Sequence, residues 1–362
     1  MTKENYIYMQ RAIELAKKGE GFVNPNPLVG AVIVKNGEII SEGWHEQYGK
    51  EHAERNAINK CKEDLKGAEL YVTLEPCCHT GKQPPCTDAI LESGISTVYI
   101  GSRDPNPLVA GKGAEKLRTS GIEVIEDFMR EECDTLNPIF FHYITTKKPY
   151  VILKYAMTAD GKIACCTGDS KWITGESARK NVHMTRNRVS AILVGIGTVL
   201  ADNPMLDCRL PDTKNPVRII CDSHLRIPLD CNIVNTAREI PTYIMTLDDI
   251  TPKAKELRNF GVRVCKMPVH NGSIDISAVI DFIGANGWDS VLVEGGSKIL
   301  ASFLSNNIAQ EVQVYIAPKW IGGDGVSPIG TMNIKTMSGA VFTESSPEVK
   351  TFDKDILLTY KI

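Results

Sequence analysis

The amino-acid sequence predicts two successive α/β domains that meet near residue 147. Three observations lead there. The chain has 362 residues, more than the roughly 250–300 at which a single hydrophobic core stops growing. Short apolar runs rich in Val and Ile alternate with stretches of helical periodicity from one end to the other. That alternation breaks at Lys147-Lys148-Pro149 and restarts with a strand at Tyr150. The domains are therefore placed at residues 1–146 and 147–362.

In the first domain, Tyr6, Met9, Ala12, Ile13 and Ala16 recur at helical spacing over 6–18 and stop at Gly19 and Gly21. Asn24-Pro25-Asn26-Pro27 reads as a loop. Val29 to Val34 is a strand, Asn36-Gly37 a hairpin turn and Ile39 to Gly43 its partner. A helix is expected over 52–61, a strand over Glu69 to Leu74, a helix from Cys86 through Glu92, and a strand over Val98 to Gly101. One more helix and strand run to about Ile125, and residues 126–149 read as a connection punctuated by Pro138. In the second domain, strands are expected at Val151 to Lys154 and near 190–194, 217–221, 242–246, 262–265, 290–294 and 311–317, with helices between several of them.

Composition narrows the function classes. Hydrophobic residues make up 43% and charged residues 23%, a globular balance, and the formal net charge of −3 gives no support to a nucleic-acid backbone binder. No apolar run is long enough to span a membrane, and Met1-Thr2-Lys3-Glu4-Asn5 lacks the apolar core of a signal peptide. Eleven cysteines form no even framework, which suits a reducing cytoplasm with some thiols on a metal.

The most informative motif is His52-Ala53-Glu54 followed by Pro76-Cys77 and Cys86. One imidazole and two thiolates hold zinc while leaving its fourth position to water, and Glu54 is placed to move that water's proton without being a ligand. This is the donor pattern of hydrolytic deamination. Eight residues separate Cys77 from Cys86, and this long loop carries Lys82, which suggests contact with an anionic substrate. A purely structural zinc would need a fourth protein donor, for which Cys78 and His79 are at hand; it would leave Glu54 without a role. Cys61 reads as helix core. Asn26, before a strand, and Asp104 and Asn106, after another, lie where α/β sheets gather ligands.

Here the sequence resembles a known family. Asn26-Pro27-Leu28-Val29-Gly30-Ala31, His52-Ala53-Glu54, Thr73-Leu74-Glu75-Pro76-Cys77-Cys78-His79, Gly81-Lys82, Pro84-Pro85-Cys86 and Asp104-Pro105-Asn106-Pro107 look like the deaminase half of the bifunctional riboflavin-biosynthesis deaminase/reductases. The resemblance implies a cytidine-deaminase-like, three-layer α/β/α domain. Zinc would sit on His52, Cys77 and Cys86, with Glu54 as proton shuttle. Asn26, His45, Lys82, Asp104 and Asn106 would hold the pyrimidine and its ribosyl phosphate.

The second domain carries weaker signals by itself. Gly195-Ile196-Gly197-Thr198-Val199-Leu200 follows a strand but has Leu200 where a dinucleotide fingerprint needs its third Gly. Val293-Glu294-Gly295-Gly296-Ser297 is a strand running into a glycine pair and a helix start, which suits either a pyrophosphate cradle or a structural turn. Lys154, Asp160-Gly161-Lys162, Gly168 to Thr174, Thr198 to Pro204, Leu206, Arg209-Leu210-Pro211 and Val293 to Gly296 resemble the reductase half of the same family. That implies a dihydrofolate-reductase-like fold and NADPH. The family positions put the cofactor on Ala156, Trp172, Thr198, Asp202, Ser223, Gly296, Ser297, Lys298, Ile299, Leu300, Ala301 and Ser302. They put substrate on Lys154, Ser170, Arg186, Leu206, Arg209 and Glu294, with the two arginines for phosphate and Lys154 or Asp202 for proton transfer. Cys165-Cys166 reads as small core or turn residues.

The expected protein is thus a cytoplasmic, two-activity enzyme acting on a small phosphorylated pyrimidine, with no nucleic-acid or membrane partner. Its expected association is homo-oligomeric, as is common in the family. The rivals are a deaminase of free or RNA-borne bases and a non-catalytic zinc protein that senses NADPH.

Overall fold

The computed structural model describes residues 3–80, 83–106, 109–343 and 345–362. It divides into two compact units, Met1–Lys147 and Lys148–Ile362.

The first unit runs α1 (Lys3–Lys17), β1 (Gly30–Lys35), β2 (Glu38–Trp44), α2 (Ala53–Lys60), β3 (Glu69–Leu74), α3 (Cys86–Ser93), β4 (Thr97–Ser102), α4 (Lys112–Thr119), β5 (Glu123–Ile125), α5 (Arg130–Asp134) and α6 (Pro138–Thr146). Its five strands are ordered β2-β1-β3-β4-β5. The hairpin β1–β2 and the β1–β3 pair are antiparallel, whereas β3, β4 and β5 run parallel. Alternation along β1 decides the layers. Ala31 and Ile33 pack with Ala53 and Ala57 of α2, Ile90 of α3 and Leu117 of α4. Val32 and Val34 face the other way, with Met9, Ala12 and Leu15 of α1 and Cys133 of α5. Because both faces are apolar, both must be covered by helices, and the result is a three-layer α/β/α sandwich.

The second unit contains β6 (Tyr150–Thr158), α7 (Glu176–Arg188), β7 (Ala191–Gly195), α8 (Ile196–Asp202), β8 (Val217–Cys221), α9 (Asn232–Asn235), β9 (Thr242–Thr246), α10 (Pro252–Asn259) and β10 (Arg263–Lys266). There follow a short hairpin of β11 (Val269–His270) and β12 (Ser273–Ile274), then α11 (Ile276–Ala285), β13 (Ser290–Val293), α12 (Ser297–Ser305), β14 (Glu311–Ala317), β15 (Glu348–Phe352) and β16 (Asp355–Lys361). Nine strands form one sheet, β10-β9-β8-β7-β13-β6-β14-β16-β15. All pairs from β10 to β14 are parallel; β16 and β15 are antiparallel additions. Leu193 and Val293 face α11 and α12 residues such as Ile280 and Phe303. Val194 and Ile220 face Ile233 of α9 and Leu257 of α10.

Three local expectations change. Residues 126–149 are not a bare connection: α5 and α6 fold there, with Pro138 at the first turn of α6, where its missing N–H costs nothing. β15 and β16 carry exposed side chains on much of their length, so their weak apolar alternation hid them from the sequence reading. Cys61 does pack against the core of this unit, but from the C-terminal cap of α2 and only half-buried.

Candidate active sites

The first site is assembled at the N-terminal ends of α2 and α3. His52 is the extended residue that opens α2, its carbonyl accepting from Asn56 at 2.9 Å. The first turn of the helix carries Glu54, buried beneath the site. Close approach of α2 to β2 depends on Gly43, because a Cβ there would lie 2.4 Å from the Ala57 nitrogen and 2.5 Å from the Ala53 oxygen. Cys77 follows β3, and Cys86 is the first residue of α3. The Cys86 N–H donates to the Cys77 sulfur at 3.4 Å, and the Thr87 N–H donates to the Cys77 carbonyl at 3.2 Å.

The sulfurs of Cys77 and Cys86 lie 3.6 and 3.4 Å from His52 Nδ1, and all three donor atoms fall within 4.8 Å of one another. A tetrahedron with zinc–ligand bonds of about 2.0–2.3 Å has edges of about 3.3–3.8 Å, so the donor type and spacing fit zinc. Neither Cys78 nor His79 joins this group among the described residues. That leaves the three-donor, open arrangement typical of catalytic zinc. The Cys77 thiol is drawn down to about 4 by its hydrogen bond with Cys86 and then by His52. Burial pushes the Glu54 carboxyl above its ordinary value.

A cavity of about 270 Å³ opens over these groups. It is lined by Asn26, His45, His52, Glu54, Cys77, Asp104 and Asn106, so the structure gathers these candidates into one place. Lys82 lies outside the described residues. His45 is held on both ring nitrogens: Nδ1 lies 2.8 Å from the Glu51 carbonyl, and Nε2 lies 3.1 Å from Asn26 Nδ2. The first contact requires Nδ1–H to donate, which leaves Nε2 to accept from the amide, and burial lowers the ring's affinity for a second proton. Asp104 accepts from the Asn106 N–H at 2.8 Å, and its carboxyl is raised to about 6, chiefly by burial and then by Glu75 and Cys77.

Sequence reading missed four contributors. Glu75 is buried and accepts from the N–H groups of Gly111 and Gly113 at 3.0 Å, so it satisfies the start of α4 and braces the loop after β4. Arg55 donates to the carbonyls of Pro84 and Pro85 at 3.2 and 2.8 Å, tying α2 to the approach to Cys86. Asn137, just before α6, and Phe140, on it, come from the segment read as a connection. Glu75 and Arg55 do stand inside or beside the metal motifs. Nothing local marks Asn137 or Phe140.

In the second unit the candidates gather at the C-terminal ends of the parallel strands. Gly295 and Gly296 leave β13 with φ of +113° and +84° and start α12. A Cβ on Gly295 would come 3.4 Å from Thr198 Oγ1, and one on Gly195 would come 2.7 Å from Ile299. Thr198, the glycine pair and the first turn of α12 therefore enclose a backbone-lined cradle at a helix N-terminus, which fits the pyrophosphate of a dinucleotide. Asp202 ends α8 and Ser223 lies just past β8. Ala156 is on β6, where it packs beside Tyr315. Trp172 is exposed, with Arg179 stacked 4.6 Å from its ring, and Ser170 shares that irregular segment. Ser297, Lys298 and Ser302 are at least partly exposed on α12, but Leu300 and Ala301 face the core, so only their backbone is available to a ligand.

Glu294 forms the charged centre of this unit. It accepts from Arg186 Nε and Nη2 at 2.6 and 3.0 Å, and Lys154 Nζ lies 3.7 Å away. Burial alone would raise the Glu294 carboxyl, but Arg186 and Lys154 overcome this and hold it down to about 2. Burial lowers the Lys154 ammonium from its usual range. The remaining Arg186 arm donates to the Asp207 carbonyl at 2.8 Å, so each nitrogen of this guanidinium already has a protein partner. Arg209 is exposed and paired with Asp207 at 3.0 Å. The Leu206 side chain is buried in the core with a φ of +52°, which again leaves its backbone for contact.

Two family models match the chain: the cytidine and deoxycytidylate deaminase zinc-binding region over residues 2–102, and the RibD C-terminal domain over 149–358. The chain is 56% identical to the riboflavin biosynthesis protein RibD of Actinobacillus pleuropneumoniae, covering 100% of this chain and 96% of that protein. It is 38% identical to the RibD of Escherichia coli strain K12, over 89% of each. Among solved structures, a Thermotoga maritima diaminohydroxyphosphoribosylaminopyrimidine deaminase/5-amino-6-(5-phosphoribosylamino)uracil reductase is 43% identical. It superimposes with a TM-score of 0.88 over 99% of this chain and 98% of that one. Acinetobacter baumannii RibD is 34% identical, with a TM-score of 0.89 over 99% of both chains.

Proposed function

The chain belongs to the RibD family of bifunctional riboflavin-biosynthesis deaminase/reductases, and from that premise we infer which residues perform each reaction and on what. It is a zinc-dependent deaminase joined to an NADPH-dependent reductase. Residues 1–147 are assigned the deamination of 2,5-diamino-6-ribosylamino-4(3H)-pyrimidinone 5′-phosphate, and residues 148–362 the subsequent reduction of its ribosyl side chain to ribityl.

The observation that carries the first assignment is the three-donor cluster with buried Glu54 at the floor of one cavity. A zinc ion on His52, Cys77 and Cys86 supplies acidification of a water molecule. Glu54, with its raised proton affinity, takes the proton from the attacking water and delivers it to the amine that leaves C2 of the pyrimidine. Asn26 and His45, bonded to each other, are assigned to the ring edge as one unit in which His45 fixes the Asn26 amide, and Asp104 and Asn106 are assigned to the same substrate from the loop after β4. Lys82 is assigned to the 5′-phosphate on charge alone.

For the reductase, NADPH supplies a hydride when bound. Thr198, Asp202, Ser223 and the turn Gly296 to Ser302 are assigned to hold it, with Ala156 and Trp172 at its nicotinamide end. Glu294 orients Lys154, whose lowered proton affinity suits it to protonate the oxygen released as the ribosyl ring opens. Arg186 fixes Glu294, and Arg209, Ser170 and the Leu206 backbone complete the substrate side.

No helix among the described residues is long and apolar enough to cross a membrane. A cytoplasmic location is part of the same reading, supported by eleven free cysteines. So is a homo-oligomer, supported by exposed Trp320, Met337 and Phe342.

Product mass analysis tests the whole reading. Zinc-loaded protein and the diaminopyrimidinone substrate should exchange an amine for oxygen without NADPH, then gain two hydrogens only when NADPH is added. Absence of amine loss would reject the substrate. Deamination without reduction would confine the assignment to the first unit.

A further inference from the structure

The match to the deaminase zinc-binding region ends at residue 102, yet part of the cavity wall is made much later in the chain. Asn137, buried and immediately before α6, pairs both ends of its amide with the backbone of Leu28, across 109 residues of sequence. The Leu28 N–H donates to Asn137 Oδ1 at 2.7 Å, and Asn137 Nδ2 donates to the Leu28 carbonyl at 2.8 Å. Those bonds grip the loop that carries Asn26. That loop is also tied to His45, through Asn26 Nδ2 to His45 Nε2 and through the His45 N–H to the Val29 carbonyl at 3.0 Å. On α6 itself, Phe140 lines the cavity, together with Pro27 and Val29.

We propose that α6 is a working part of the deaminase site: Asn137 is a positioning residue that fixes the Asn26 loop against His45, and Phe140 is the apolar wall that selects a flat heterocycle. The physical case is the reciprocity of the clamp. A loop with only water as partner keeps several backbone states, and ordering it on binding would cost affinity. An amide that satisfies both the N–H and the C=O of one half-buried residue pins the peptide groups on either side of it. Phe140 then offers a ring face to an aromatic substrate, an arrangement that rejects bulky or non-planar groups. Neither residue is one of the metal donors, so zinc should stay bound when either is replaced.

This inference rests on the deaminase reading, and its test separates the two. Asn137→Ala, Asn137→Asp, Phe140→Ala and Phe140→Leu are compared with the unaltered full-length chain. Zinc content, KM and kcat for ammonia release are measured, together with NADPH oxidation on the already deaminated substrate. The expected result is a KM raised about tenfold or more by Asn137→Ala, with a smaller change in kcat. Asn137→Asp, which keeps only the acceptor for the Leu28 N–H, should fall between. Phe140→Ala should raise KM similarly and Phe140→Leu should recover part of the loss, with zinc content and NADPH oxidation unchanged throughout. Unchanged KM in both alanine variants overturns the proposal. So does a loss of zinc or a drop in kcat alone in the conservative variants, which would make α6 a support of the fold only. If the unaltered chain releases no ammonia, the deaminase reading fails instead.

Discussion

In the first unit Glu54 and Asp104 are buried among thiols and another acid, and both carboxyls are raised, that of Asp104 to about 6. In the second unit the Glu294 side chain is also largely buried, but Arg186 and Lys154 face it and hold it down to about 2. Burial disfavours the charged form in all three cases; the neighbours decide whether that penalty stands or is reversed. The difference separates two uses of a carboxylate. One whose raised proton affinity lets it hold and release a proton near neutral pH can carry protons during a reaction, whereas one clamped between cations stays an anion and serves as a fixed orienting point.

The largest expected effect is at Glu54. Glu54→Gln keeps the shape and the zinc donors but removes the proton carrier, and steady-state ammonia release should fall about 10³-fold. Metal analysis should show zinc retained, and NADPH oxidation on deaminated substrate should be unaffected. Equal loss of both activities would break the comparison.

Next is Arg186→Met, which leaves the Glu294 charge buried beside Lys154 alone. Denaturant unfolding should show a loss of about 3–5 kcal/mol. A loss below 1 kcal/mol would mean that the pair is solvated and that Glu294 is no anchor.

Acid titration tests the two settings together, because their signs are opposite. Glu294 has a folded value of about 2 against an ordinary 4.5. Its stabilisation is complete above the ordinary value and is lost as pH falls through about 2, amounting to about 3 kcal/mol. Asp104 has a folded value of about 6 against an ordinary 3.8, so its contribution is most favourable below 3.8 and declines as pH rises through 6. Glu294→Gln and Asp104→Asn should flatten each slope separately. In the zinc-loaded enzyme, KM for deamination should rise towards acid pH as Asp104, its carboxyl raised chiefly by burial, loses its acceptor charge; a flat KM would remove Asp104 from substrate binding.

The smallest effect belongs to Gly296→Ala. At a φ of +84° an added Cβ should cost about 1–2 kcal/mol, and NADPH affinity measured by fluorescence titration should weaken by about tenfold. Deamination should not change.

The sequence made the metal donors legible because each lies in a motif whose geometry is local. His52 and Glu54 are separated by a single residue across a helix start, and Cys77 and Cys86 flank one loop. The alternating and continuous apolar runs likewise marked the strands of both central sheets. The antiparallel β15 and β16 escaped because their exposed faces carry no such pattern, and α5 and α6 escaped because Pro138 reads as a break before it reads as a first turn. Leu206, Leu300 and Ala301 stand at family ligand positions, but only the structure shows their side chains in the core.

What the sequence determined by itself, then, is the chemistry available: three zinc donors, a proton carrier, a glycine turn and the α/β order that presents them. Spacings of a few residues are governed by helix and turn geometry, so they can be read directly. The tertiary structure alone decided which distant groups meet. Asn137 reaches Leu28 across 109 residues and Arg186 reaches Glu294 across 108, and both contacts depend on how helices lie on completed sheets. It also decided which buried carboxyls keep their protons. Charge state follows from the groups that packing places within a few ångströms and from the water it excludes, neither of which local sequence specifies.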